Sequence, residues 1–125
     1  MIKGLGIDLV MIQQVEAMLR ISKNTKKYIF TEKELTLSEQ AINKAEFLAG
    51  RFAAKEAVCK AISPHIKQPV AYDFRIVETL KREDGSPYIN IGPELQSLVI
   101  KAGINSIAIS LSHQGDFAIA IAIIE

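Results

Sequence analysis

Arg51, Lys55, Glu56 and Lys60 sit in a stretch that, after Glu46, is otherwise built of small and apolar residues, AEFLAGRFAAKEAVCKAIS at positions 45–63. On an ideal helix at about 100° per residue, Phe47, Leu48, Phe52, Val58, Cys59 and Ile62 fill one broad face. Ala49, Gly50, Ala53, Ala54, Ala57 and Ala61 fill most of the other. A helix that is apolar or small nearly all round is normally buried, so its charges need partners. Glu56 and Lys60 are four apart with the acid first, the favoured order for an ion pair along a helix. Arg51 and Lys55 are like charges four apart on the large apolar face, and something anionic must stand beside them. A carboxylate from another element, stems that snorkel to water and a bound phosphate all satisfy that requirement.

Asp8 interrupts the apolar run Gly6-Ile7-Asp8-Leu9-Val10. Its position fits a helix N-cap or a metal ligand. Magnesium takes one or two protein carboxylates and completes its shell with water and substrate phosphate, and Glu56 is the candidate second acid. His113 stands at the end of an alternating strand, where a group can face a cleft. His65, beside Pro64, reads as an ordinary loop histidine.

The elements that must position these groups follow from periodicity. Residues 2–9 read as a buried strand, and 11–21 as a helix with Ile12, Val15 and Leu19 on one stripe and Met11 and Met18 beside it. Residues 23–27 are a polar, basic connection. Thr31 followed by Glu34 is a capping box that starts a helix. The charged helix spans 45–62 and stops before Pro64. Residues 70–80 alternate as a strand. Asp84-Gly85 turns into a short strand at 88–91. Pro93 opens a helix that Gly103 closes, and strands at 104–112 and 117–124 end the chain, joined at His113-Gln114-Gly115-Asp116. This order lacks strict β-α alternation. The fold class is α+β, with a mostly antiparallel sheet packed against helices.

Composition narrows the function. The 125 residues form one domain, 1–125, large enough for a core of its own. A formal net charge of +1 and 6% aromatic residues argue against binding nucleic acid by bulk charge or base stacking. The single cysteine, Cys59, has no disulfide or zinc partner. No apolar run approaches the length of a membrane span, and MIKGLGIDLV does not read as a secretory signal. The expectation is a cytoplasmic protein that binds neither nucleic acid nor membrane.

Several segments together resemble the holo-acyl-carrier-protein synthases, the small bacterial type of 4′-phosphopantetheinyl transferase. They are Gly4-Leu5-Gly6-Ile7-Asp8-Leu9, Phe30-Thr31-Glu32-Lys33-Glu34-Leu35, Phe47 to Ala57 with Lys60-Ala61, Asp84-Gly85-Ser86-Pro87, and Ser110-Leu111-Ser112-His113. The resemblance covers essentially the whole chain, and GRFAAKEA is its most specific part. It implies the 4′-phosphopantetheinyl transferase fold. It also implies transfer of the phosphopantetheine arm of coenzyme A to a serine of apo-acyl carrier protein for fatty acid biosynthesis, with adenosine 3′,5′-bisphosphate released. Magnesium, with manganese as the alternative, falls to Asp8 and Glu56. Catalysis falls to Asp8, Glu56 and Lys60, with Glu56 the candidate general base. Coenzyme A contacts fall to Arg51, Lys60, His113 and Pro87. A homotrimer with active sites between subunits is implied.

The family's basic residue on the first helix is replaced here by Gln13 and Gln14, and basic charge comes later, at Arg20, Lys23, Lys26 and Lys27. Met18, Arg20 and Lys23 are the expected carrier-protein surface. Assembly is expected to cover Ala118, Ala120 and Ala122, or the opposite face of their strand, unless a helix of the same chain lies over the alanines. The alternative function is a non-catalytic coenzyme A or nucleotide-binding oligomeric module, which has no need of paired carboxylates.

Overall fold

A computed structural model describes residues 1–67 and 73–125. Strand β1 (Gly4–Met11) leads into helix α1 (Ile12–Leu19), then the short α2 (Thr25–Ile29), α3 (Glu32–Glu39) and the long α4 (Lys44–Ile62). A hairpin of β2 (Glu78–Lys81) and β3 (Pro87–Asn90) follows, then α5 (Pro93–Lys101), β4 (Ile107–Gln114) and β5 (Phe117–Ile124). The architecture is α+β, as the sequence predicts. β1, β5 and β4 form one antiparallel sheet in that order, and β2–β3 form a second two-stranded sheet.

Alternation in the three-stranded sheet decides which face α4 covers. Gly6 pairs with Ala122, Asp8 with Ala120 and Val10 with Ala118, while Ile109, Leu111 and His113 sit opposite the same three alanines on the far side of β5. Ala118, Ala120 and Ala122 are buried, and the last two belong to one core with Ala53, Ala54 and Ala57 of α4. Small residues on both sides let the helix lie close to the sheet. A helix of the same chain therefore covers the alanine face. The open face is the opposite one: Leu5, Ile7 and Leu9 are 60%, 56% and 61% exposed, and Phe117 and Ile121 are 44% and 37% exposed.

Three expectations change. The basic connection at 23–27 holds the start of α2, whose Ile29 is buried. A five-residue helix is too short to show a period. The strand expected at 70–80 begins only at Glu78, and its positions 70–72 lie outside the described residues. Phe74–Ile76 form a 3-10 turn, because the Asp73 carboxylate accepts the Arg75 N–H and offers the backbone a local alternative to pairing. β1 runs on to Met11, which is the N-cap residue of α1 without a side-chain cap bond, so Asp8 lies inside a strand and caps no helix. The capping box is present: the Glu34 N–H donates to Thr31 Oγ1 and the Thr31 N–H to Glu34 Oε1. Pro93 occupies the first turn of α5, and Gly103 follows that helix at φ +68°.

Candidate active site

The site begins where β1 touches α4. A Cβ added to Gly6 would lie 1.8 Å from the Ala57 carbonyl oxygen and 2.9 Å from the Ala61 nitrogen, so the strand backbone rests directly on the helix backbone. One added to Gly4 would lie 3.1 Å from the Ala61 oxygen. Two residues beyond Gly6, on the same face, Asp8 meets the last turns of α4. The Lys60 ammonium donates to Asp8 Oδ1 at 2.8 Å and to the Ile7 carbonyl at 3.0 Å. Lys60 thus pairs across the strand–helix contact with Asp8, not along the helix with Glu56 as the spacing predicts. The reason is that close packing brings Asp8 within reach while holding it only 14% exposed.

Glu56 completes the cluster. Burial pushes its carboxyl above the ordinary value, the Asp8 charge pushes it further, and Lys60 opposes both. The Lys60 ammonium is raised, chiefly by its bond to Asp8. Two neighbouring carboxylates that repel one another, one of them bonded to a cation, offer oxygen ligands of the kind a divalent ion takes when water and phosphate complete its shell. Among the described residues no group of three or more His, Cys, Asp or Glu side chains gathers, so a metal held only by protein side chains does not suit the site.

The two cations of the large apolar face have separate fates. The Lys55 ammonium is wholly buried and all its protons are used: on Glu34 Oε1 at 2.7 Å, the Val77 carbonyl at 2.7 Å and the Phe74 carbonyl at 3.0 Å. Glu34 Oε2 also accepts the Thr79 N–H at 3.1 Å. The anion beside Lys55 is therefore a protein carboxylate. Burial pushes the Lys55 ammonium below the usual lysine range, and Glu34 opposes this. The sequence marks Glu34 as a capping-box acid and gives no sign of this second role beyond the demand of Lys55 for an anion. Arg51 is 7% exposed, its guanidinium 4.1 Å from the Phe47 ring centre, and its Nε has no hydrogen-bond partner. Burial lowers its pKa, and the Glu34 charge again opposes.

The remaining candidates make contacts elsewhere. His113 is inside β4, not in the turn after it, and its Nε2 stands 3.2 Å from Glu46 Oε1 on the first turn of α4. Glu46 precedes Glu56 by about 15 Å along the helix at 1.5 Å per residue. Pro87 opens β3 and its carbonyl accepts from Arg82. Met18 packs half-buried against a core of Val15, Leu19 and Phe30. Arg20 is paired with Glu16, and Lys23 is exposed. A cavity of about 1120 Å³ between Phe30, Leu35, Arg75, Glu78 and Leu95 includes none of Asp8, Glu56 and Lys60.

Residues 4–122 match the model of the 4′-phosphopantetheinyl transferase superfamily. The chain is 37% identical over 125 residues to the holo-[acyl-carrier-protein] synthase of Caldicellulosiruptor bescii, covering 100% of this chain and 99% of that one. It is 36% identical over 123 residues to the synthase of Alkaliphilus oremlandii, with 98% of each covered. Among solved structures, the synthase of Neisseria meningitidis superimposes with a TM-score of 0.87 at 29% identity, covering 100% of this chain and 99% of that chain. The ACPS–CoA complex of Chronobacterium ammoniagenes does so with a TM-score of 0.84 at 28% identity, covering 97% and 95%.

Proposed function

The chain belongs to the 4′-phosphopantetheinyl transferase superfamily, and from that premise we propose which of its residues carry the reaction of a holo-acyl-carrier-protein synthase. That reaction moves the 4′-phosphopantetheine arm of coenzyme A to a serine of apo-acyl carrier protein. The serine oxygen forms a bond to the phosphorus bearing the arm. The pyrophosphate P–O bond breaks, and its electron pair leaves with adenosine 3′,5′-bisphosphate. Such displacements depend on alignment and charge neutralisation more than on covalent help from the protein.

The observation that carries the assignment is the meeting of Asp8 and Lys60 at 2.8 Å beside Glu56. Asp8 and Glu56 would hold a divalent ion, magnesium or manganese, which would supply positive charge to phosphate oxygens. Glu56 accepts the serine proton, directly or through a water. Lys60 steadies the charge that grows on the leaving phosphate. Arg51, with an unused Nε, draws the anionic substrate toward α4. His113 and Pro87 serve as coenzyme A contacts, in a site completed between chains. The exposed apolar face of Leu5, Ile7, Leu9, Phe117 and Ile121 is where copies join, and the resemblance makes the assembly a homotrimer. Met18, Arg20 and Lys23 form the carrier surface, with cytoplasm the setting.

The test is to incubate the protein with coenzyme A, magnesium and an apo carrier and to weigh the carrier. The carrier gains one phosphopantetheine arm. Asp8→Ala and Glu56→Ala abolish the gain while far-ultraviolet circular dichroism stays that of the wild type. An unmodified carrier with the wild-type protein, or full transfer by both variants, overturns the reading.

A further inference from the structure

Two of the ion-paired lysines of α4, Lys55 and Lys60, are held in opposite ways. Lys55 spends three N–H bonds in a wholly buried pocket. Lys60 places two N–H bonds on β1, and its side chain is 54% exposed, whereas its partner Asp8 is 14% exposed and fixed in a strand. Of the two members of the Asp8–Lys60 pair, only the lysine is free to leave. Its stem is flexible, its head already borders solvent, and the bonds it gives up can be replaced by water or by an anion.

We propose that Lys60 is a placeholder cation that occupies the divalent-ion seat on Asp8 and is handed on to the substrate phosphate when the metal enters. This rests on the reading of Asp8 and Glu56 as the metal ligands. An ammonium 2.8 Å from Asp8 Oδ1 and a doubly charged ion on the same carboxylate repel one another strongly at that range. Entry of the ion therefore expels the ammonium from Asp8. The expelled group is anchored only one helical turn from Glu56, so it stays in the cleft and meets whatever anion the metal has brought. Loading of the metal and arming of Lys60 become one event. Before loading, Lys60 keeps Asp8 from facing Glu56 uncompensated, which preserves the seat.

The experiment follows the lysine itself. The full-length protein is treated with a limiting amine-acylating reagent, with and without magnesium, and the labelling of Lys60 is read by peptide mass spectrometry against the exposed Lys101. Magnesium raises the labelling of Lys60 about fivefold, the factor equivalent to losing one partly exposed ion pair, and leaves Lys101 unchanged. In Asp8→Asn, Lys60 is labelled fast from the start and magnesium changes nothing. A manganese titration followed by electron paramagnetic resonance separates the two ways of failing. If the wild type binds manganese and Asp8→Asn does not, yet Lys60 labelling is flat or falls with magnesium, the hand-off is wrong and the metal reading stands. If the wild type and Asp8→Asn bind manganese alike, or neither binds it, the metal reading fails and the hand-off with it.

Discussion

Gly6→Ala tests whether backbone contact between β1 and α4 builds the site. The new methyl would stand 1.8 Å from the Ala57 oxygen and 2.8 Å from its carbonyl carbon. Ordinary contact begins near 3.4 Å, so strand and helix must separate by about 1.6 Å. Neither side yields cheaply, since the obstacle is helix backbone and Gly6 is itself paired with Ala122. Overpacking of a core costs typically about 1–3 kcal/mol, and this clash belongs at or above the upper end. For a domain of this size about 3 kcal/mol lowers the melting temperature by roughly 10 °C. The same separation parts Asp8 from Lys60 and Glu56. A misplacement of about 1 Å can cost about 100-fold in rate, so transfer falls by at least that factor under conditions where the variant remains folded. The assay is urea unfolding at fixed protein concentration together with carrier mass gain at saturating substrates. Two other glycines give the scale. Gly4→Ala meets the Ala61 oxygen at 3.1 Å and is milder. Gly50→Ala, with nothing nearer than Leu111 Cδ1 at 4.0 Å, gains about 0.5–1 kcal/mol of helix stability. Gly6→Ala with wild-type stability and transfer refutes the reasoning.

Three further outcomes follow from the buried charges and the open face. Lys55→Met strands Glu34 without its cation and costs about 3–5 kcal/mol in urea unfolding, and adding Glu34→Gln recovers part of that loss; a wild-type midpoint for Lys55→Met contradicts the pairing. Because the folded-state pKa of Glu56 lies above its ordinary 4.5, the folded protein binds this proton more tightly than the unfolded chain, and stability falls as pH rises through that range. Metal-free Glu56→Gln is therefore more stable than the wild type at neutral pH, and thermal melts show the margin closing as pH drops toward 4.5. Ile121→Lys puts a charge on the open sheet face and shifts sedimentation toward monomer with loss of transfer; an active monomer would mean that one chain holds a complete site.

Much of this protein is legible in its sequence. Period two set the faces of β5, period 3.6 marked α1 and α4, and the Thr31–Glu34 box and Pro93 with Gly103 fixed helix ends, because these signals act over a few residues. The need of Lys55 for an anion was also readable, since two cations on an apolar helix face cannot stand uncompensated. Which anion answers it was not: a carboxylate on α3 and a bound phosphate satisfy the same local demand. Only the packing of α3 and the 74–79 segment on α4 chose Glu34. Asp8 shows the same division. Its residue type offered cap or ligand, and the pairing of β1 with β5, which carries the strand on to Met11, removed the cap. The Glu56–Lys60 spacing predicted a pair along the helix, whereas the contact of Gly6 with Ala57 brought Asp8 close enough to take Lys60. Local preferences are written in neighbouring residues, but the partner of a charge is set by long-range contacts between backbones, and those exist only once the chain has folded.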